Sequence, residues 1–329
     1  MTHVILLRMR IPTYLVLCAL AAAPIGAVQA DYSWELAGRL GQDESEQDVE
    51  SDQSSLSGTY YFDPVEDGTG PHALAAFFDP ATRVSIATSK DKTTSPTGAM
   101  LDETTNYSVS GQYLLPRSKW FVGGRYSWGD IDDPFSPPTT VLSIDLTGQT
   151  LVAGKYLGAA GATRIQLALD RSKTDTDQRL TVCIPGCFNG IATADVTTDE
   201  IRFDVMHVGP VRAATYALSG GVSDGNSDLV GSIAFLPNPI VPPFPNQTVN
   251  LDLGSTRTYF VAGELFPLTK LGVRVGFTRI DGENLNTEVT DVEASWFFRR
   301  NLGLELNITR QEDDVVSTDG AALRVIGRF

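Results

Sequence analysis

Hydrophobic and polar residues alternate along most of this chain beyond residue 30. At the C-terminus, positions 321, 323, 325, 327 and 329 carry Ala, Leu, Val, Gly and Phe, whereas both charges, Arg324 and Arg328, lie between them. A two-residue period indicates a β-strand with one apolar and one polar face. The same period predicts fourteen strands, at residues 31–42, 54–63, 71–90, 104–115, 119–129, 141–157, 162–173, 199–209, 211–223, 255–265, 271–281, 287–298, 302–311 and 319–329.

The third predicted strand, residues 71–90, is the least regular because Asp79 and Pro80 interrupt it. Proline is tolerated in a strand at a bulge, so we expect one long bulged strand here. The segment could instead form two strands, which would change the number of strands in the barrel. We therefore expect about 14 strands, within a range of 12–16.

Charge placement and loop length favour a membrane barrel over a soluble sheet. In the most regular segments the charges share one face, and aromatic residues cluster at strand ends on the other. A charge facing lipid costs about 2–4 kcal/mol at the midplane, whereas a wet interior accepts it. Predicted turns after even-numbered strands are short, and most loops after odd-numbered strands are longer, notably residues 174–198 and 224–253. The pattern predicts an all-β fold, a transmembrane antiparallel up-and-down β-barrel, with both termini in the periplasm.

The first 30 residues have the features of a signal peptide. Arg8 and Arg10 precede the apolar residues 11–23, and Val28-Gln29-Ala30 resembles a cleavage site. We therefore expect the barrel to comprise residues 31–329. No later apolar run reaches about 18 residues, the length that indicates a transmembrane helix.

Charges of both signs fall on the predicted inner face. Such a lumen would orient dipolar solutes and set ion selectivity. The alternation predicts these pore-lining residues: Glu35, Arg39, Arg125, Asp145, Lys155, Arg164, Asp170, Arg202, Asp204, Arg274, Asp291, Glu293, Glu305 and Arg324. We expect a channel for small hydrophilic solutes or ions. The alternative is a structural or adhesive barrel with an occluded pore, in which these charges pair along the wall and the outer loops carry the function.

Two of the predicted outer loops have distinctive sequences. Cys183 and Cys187 flank Ile-Pro-Gly, a turn that brings the two cysteines together, so we predict a disulfide at the tip of this loop. Residues 233–245 are apolar and rich in proline, which excludes a regular central strand. This second loop could fold into the pore, lie across the barrel mouth or pack against a neighbouring molecule.

Composition and histidine placement argue against other function classes. The formal net charge of −15 makes nucleic acid an improbable partner. His72 and His207 both fall near predicted periplasmic turns, whereas the known barrel proteases and phospholipases carry their sites toward the outer rim. We read them as turn or interface residues and expect no enzyme, no metal site and no cofactor.

The whole set of alternating strands ending on Phe329 resembles the Gram-negative outer-membrane porins. Within it, Tyr60-Tyr-Phe-Asp-Pro-Val65, Gly70-Pro71 and Ala73 to Phe78 resemble a stretch of uncharacterised proteins classed as porins. The resemblance implies passive passage of small hydrophilic solutes, contact with lipid and lipopolysaccharide, and recognition of the C-terminal strand and Phe329 by the barrel-assembly machinery. The sequence predicts no particular oligomeric state.

Overall fold

The chain forms a closed antiparallel barrel in a computed structural model that describes residues 31–329 except 67, 69, 98, 133–139, 159–161, 184–186, 236–246, 284–285 and 315. Each strand pairs with its neighbours in sequence, and β14 pairs with β1 to close the barrel. The prediction of a barrel of 14 strands is confirmed. The strands are β1 (Asp31–Ser45), β2 (Glu50–Glu66), β3 (Arg83–Thr94), β4 (Met100–Leu114), β5 (Trp120–Asp132), β6 (Thr140–Leu157), β7 (Thr163–Cys183), β8 (Cys187–Val211), β9 (Ala214–Phe235), β10 (Gln247–Leu268), β11 (Leu271–Gly282), β12 (Asn286–Arg299), β13 (Leu302–Asp313) and β14 (Ser317–Arg328).

The two faces of each strand meet different surroundings. Leu151 is 66% exposed and Val261 58%, whereas Phe121 on the opposite face is 1% exposed. We call the barrel end where β1 begins and β14 ends the terminal end, and the opposite end the far end. Trp120 and Trp296 lie on the outer face near the terminal end, and Trp128 stacks on Tyr107 nearer the far end. Aromatic residues thus flank an apolar outer band, as they do at membrane interfaces.

Four neighbouring strands are much longer than the others. β8 has 25 residues and β7, β9 and β10 have 21 or 22, whereas β13 has 12. About 9–11 tilted residues cross a membrane, so these strands rise beyond the apolar band at the far end. We call this extension the tall wall. The expected long loops at 174–198 and 224–253 were therefore wrong for most of their length, because β7 continues to Cys183 and β10 starts at Gln247.

The predicted third strand was also wrong in its first half. Residues 71–81 fold into the barrel instead, as a 3₁₀ turn (His72–Leu74) followed by the short helix α1 (Ala75–Phe78), and β3 starts only at Arg83. Apolar residues in this segment occupy both alternating positions, so a strand would expose half of them to water. A helical turn inside the barrel buries them instead. We call residues 71–81 the plug.

Two sequence predictions concern residues outside the described part. The predicted signal peptide, residues 1–30, lies there entirely, and so does the centre of the proline-rich loop, residues 236–246. Within the described residues, no helix is long and apolar enough to span a membrane.

Candidate functional site

The plug crosses the barrel interior at the terminal end. Leu74 and Phe77 belong to one buried cluster with residues of β5, β6, β8, β9 and β10, and the rings of Phe77 and Tyr156 are 5.9 Å apart. Ala73 packs against a second cluster, which contains residues of β1, β12 and β14. The plug therefore contacts walls on opposite sides of the lumen and narrows this end of the barrel.

One arginine ties the plug to the barrel seam. Arg328 on β14 is 5% exposed, and its Nε lies 2.9 Å from Oε2 of Glu35 on β1. Its Nη1 donates a 2.6 Å hydrogen bond to the carbonyl oxygen of His72 in the plug. The guanidinium also lies 4.8 Å from the ring centroids of Tyr32 and Phe297. Sequence reasoning did not select Arg328, although it shares the inner face with Arg324.

Charged pairs continue along the inner face of β11 to β14. Arg274 Nη1 lies 2.8 Å from Asp291 Oδ2 and 4.0 Å from Glu293 Oε2. Arg324 Nη1 lies 2.8 Å from Glu305 Oε2. All five side chains keep some exposure inside the barrel, so water in the lumen reaches them.

A second network lines β6, β7 and β8. Arg202 lies 3.3 Å from Asp204 and 3.8 Å from Asp170. The hydroxyl of Thr150 donates to Asp170 at 2.6 Å, and the amide of Gln166 donates to Asp204 at 2.8 Å. These contacts fix both carboxylates against the wall.

Most predicted lumen residues do face inward. Arg39 shares its face with buried Ala37, and Arg125 shares its face with buried Phe121. Inward-facing positions are occupied by Glu35, Arg39, Arg125, Arg164, Asp170, Arg202, Asp204, Arg274, Asp291, Glu293, Glu305 and Arg324. Their role in conduction stays a prediction.

The prediction that Lys155 and Asp145 line the pore was wrong, because both residues lie on the outer face of β6. Lys155 Nζ is 5.1 Å from the ring centroid of Trp120, which is exposed on the barrel exterior. The neighbouring residue Tyr156 is 4% exposed and points inward toward the plug. Tyr156 and Val152 face inward because they pack in or against the cluster that holds Phe77 of the plug, which leaves Lys155 on the outer face.

A cavity of about 280 Å³ opens in the wall formed by β7 to β11. Its charged lining residues are Arg164, Asp204, Glu264 and Arg274. Sequence reasoning missed Glu264. The alternation could have found it, because Glu264 lies between outward-facing Leu265 and Gly263 and shares a face with buried Ala262 and Phe266.

The remaining predicted residues occupy the ends of the barrel. The backbone pairs Cys183 with Cys187 where β7 meets β8, but both side chains lie outside the described part of the chain. Phe329 is joined to β1, since its carbonyl oxygen accepts from the amides of Ser33 and Trp34 at 2.8 and 2.9 Å. His72 is buried in the plug, and Nδ1 of His207 lies 2.8 Å from the hydroxyl of Thr163.

Comparison with solved structures agrees with the barrel geometry. A TodX monoaromatic hydrocarbon channel mutant, deltaS2S3, matches with a TM-score of 0.56 and 9% identity, covering 94% of each chain. The Ralstonia pickettii toluene transporter TbuX matches with a TM-score of 0.54 and 10% identity, covering 91% of this chain and 90% of its own. The CymD monoaromatic hydrocarbon channel matches with a TM-score of 0.50 and 12% identity, covering 91% of this chain and 89% of its own.

The apolar outer band, the aromatic residues that flank it and the charged interior are features of an outer-membrane β-barrel, and the matches agree with them. This chain is a multi-pass barrel of that kind. At such low identity the likeness concerns the fold alone. No family model matches the chain, and no curated protein matches its sequence.

Proposed function

We propose that this barrel is a channel in the outer membrane of a Gram-negative bacterium, through which small hydrophilic solutes or ions diffuse. In this proposal the terminal end faces the periplasm, because short turns face that side in barrels of this type. The tall wall then stands on the extracellular side. Fourteen strands leave more room than the side-chain-filled barrels of eight strands.

The observation that carries the proposal is the composition of the inner face. Arginines and carboxylates line it from β1 to β14, and several of them, such as Arg39 and Arg125, remain exposed to the lumen. Rows of charge along a wet pore favour charged or dipolar solutes over apolar ones. The channels of similar fold named above for toluene and monoaromatic hydrocarbons therefore suggest a route through the membrane rather than the solute for this chain.

The plug favours a second candidate function, a structural or adhesive barrel with an occluded pore. It joins opposite walls through buried contacts, so it is part of the packed interior of the terminal end. In that case the tall wall and the far-end loops would carry the function.

Conductance of the purified, refolded protein in a planar lipid bilayer separates the two candidates. A channel gives discrete current steps, and a salt gradient gives its ion preference from the reversal potential. A protein that inserts and migrates on a gel as a heat-modifiable barrel, yet never conducts, would contradict the channel and support the structural candidate.

We propose three classes of partner for the barrel. Lipid and lipopolysaccharide surround its apolar band, and small hydrophilic solutes enter its lumen. The barrel-assembly machinery recognises β14 and Phe329. Nucleic acid is not proposed as a partner, since the formal net charge of −15 opposes binding to phosphate.

A further inference from the structure

The cavity between β7 and β11 lies directly above the plug. Met206 and Ala217 line this cavity and also pack in or against the cluster that holds Phe77. A solute that moves through the lumen toward the terminal end therefore meets this cavity where the plug narrows the path. At about 280 Å³ it holds a molecule of several non-hydrogen atoms, not only a single water or ion.

The cavity carries two charges of each sign. Arg274 is already engaged by Asp291 at 2.8 Å. Arg164 and Glu264, by contrast, form no hydrogen bond or ion pair with another residue in the described part of the chain. Glu264 lies opposite Arg274 in the register of β10 and β11 and interacts with it electrostatically. Neither the carboxylate of Glu264 nor the guanidinium of Arg164 is held by a short contact, so both are available to a ligand.

Asp204 adds a second carboxylate to the lining of the same cavity. Its side chain is 8% exposed, and its Oδ2 accepts a hydrogen bond from Gln166. Its Oδ1 is buried and accepts no hydrogen bond from the described residues. This oxygen is closed off from solvent, so Asp204 acts on a ligand in the cavity through its charge rather than through a hydrogen bond.

The positions of Arg164 and Glu264 set the separation between the two available charges. Register pairs Arg164 on β7 with Met206, Met206 with Ser219 and Ser219 with Ala262, two residues from Glu264 on β10. Three strand spacings and the offset of two residues put the two Cα atoms about 16 Å apart. Both side chains extend into the cavity between them, which leaves the span of a small molecule.

We propose that this cavity is a subsite for small zwitterions that carry a carboxylate and an ammonium group, such as free amino acids. The carboxylate pairs with Arg164, whose planar guanidinium suits a two-oxygen acceptor. The ammonium group pairs with Glu264 and is also attracted by the charge of Asp204. This inference rests on the proposed channel function and names its solute class.

The balance of charge in the cavity favours a zwitterion over a simple ion. An anion attracted to Arg164 is repelled by Glu264 and Asp204, and a cation attracted to Glu264 is repelled by the two arginines. Only a molecule with both charges gains from both sides of the cavity.

Saturation-transfer NMR on the refolded full chain in detergent tests this subsite with three probes: L-alanine, L-alaninamide, which lacks the carboxylate charge, and lactate, which lacks the ammonium group. We expect alanine to bind about tenfold more tightly than either analogue, since each analogue loses one charge-assisted contact. Arg164→Gln and Glu264→Gln should each weaken alanine binding by a similar factor. Arg125→Gln, a lumen arginine outside the cavity, and Glu288→Gln, on the outer face, should leave it unchanged.

Equal binding of the three probes would overturn the proposal, as would alanine binding that neither cavity variant weakens. Heat-modifiable migration of each variant on a gel verifies that the barrel is folded. Conductance then separates the two proposals. A conducting barrel that does not bind alanine contradicts the zwitterion subsite alone, whereas a barrel that binds alanine and never conducts contradicts the channel alone.

Discussion

Arg328 Nε and Glu35 Oε2 lie 2.9 Å apart across the seam where the last strand meets the first. Because the same guanidinium donates to the carbonyl oxygen of His72, the seam and the plug share one buried cation. Closure of the barrel and retention of the plug are therefore linked through a single side chain.

Replacing this cation should loosen the plug. We expect Arg328→Met to lower the free energy of unfolding by about 3–5 kcal/mol, because it leaves Glu35 without its buried partner. Single-channel recordings should show a larger or more frequent open state than in the unmodified protein. The matched control is Arg324→Met, which removes an inner-face arginine from the same strand but one paired with Glu305. Equal conductance of the two variants would argue against a link between Arg328 and the plug.

The apolar side of the plug can be weakened separately. Phe77→Ala removes a ring that is 8% exposed and lies 5.9 Å from the ring of Tyr156. A buried Phe→Ala change typically costs about 3–5 kcal/mol, so the plug should leave the lumen more often. Proteoliposome swelling should then admit larger sugars than the unmodified barrel admits. Phe62→Ala, at a position 59% exposed on the outer face, should show no such gain, and a gain in that control would contradict the assignment.

Ion preference should depend on the carboxylates of β12. The double change Asp291→Asn, Glu293→Gln removes two inner-face negative charges beside Arg274 and should lower cation preference. The reversal potential in a salt gradient measures this shift. The control pair is Asp281→Asn, Glu288→Gln, which removes two carboxylates grouped with Arg279 on the outer face. Unchanged reversal potentials in the first variant would exclude these residues from the selectivity of the pore.

The outward position of Lys155 makes a contrasting prediction. Lys155→Gln should leave conductance and reversal potential unchanged and reduce stability by about 0.5–1 kcal/mol, the usual strength of an exposed cation–π contact such as that with Trp120. Arg125→Gln, which removes a cation exposed to the lumen, should shift the reversal potential. If Lys155→Gln shifts it as far, the residue faces the pore after all.

The predicted disulfide remains open to a direct test. The backbone makes Cys183 and Cys187 partners in an antiparallel ladder, where Cα atoms lie about 4.5–5.5 Å apart, within the range that disulfides span. A thiol-specific reagent should modify neither cysteine in the denatured, unreduced mature protein and both after reduction. In Cys183→Ser, Cys187 should react without a reductant. Reaction of both thiols in the unreduced protein would rule the bond out.

The membrane-crossing part of the fold was predictable because lipid acts on every strand there. Leu304 and Leu306 must face lipid, so Glu305 between them must face inward, and the two-residue period follows. The tall wall was not predicted, because the constraint that lipid imposes is absent there. Residues such as Thr174 and Asp175 lie above the apolar band, where no lipid imposes alternation, so their sequence resembles a loop.

The plug explains the errors on β6. The assignment of faces from the alternation assumes that apolar side chains point to lipid. Tyr156 and Val152 instead point inward, to an apolar partner supplied by residues 71–81. That partner is distant in sequence, so the pattern of residues within β6 does not indicate that it is there. Asp145 was misplaced with Lys155 because the two share a face.

The tall wall and the cavity of Arg164 and Glu264 are built from the same strands, β7 to β10. β8 exceeds β13 by 13 residues, which is about 40 Å of additional strand on one side of the mouth. The rim of the far end is therefore asymmetric: it is low over β11 to β14 and high over β7 to β10. The proposed cavity therefore lies below the high side of the rim, on the same strands.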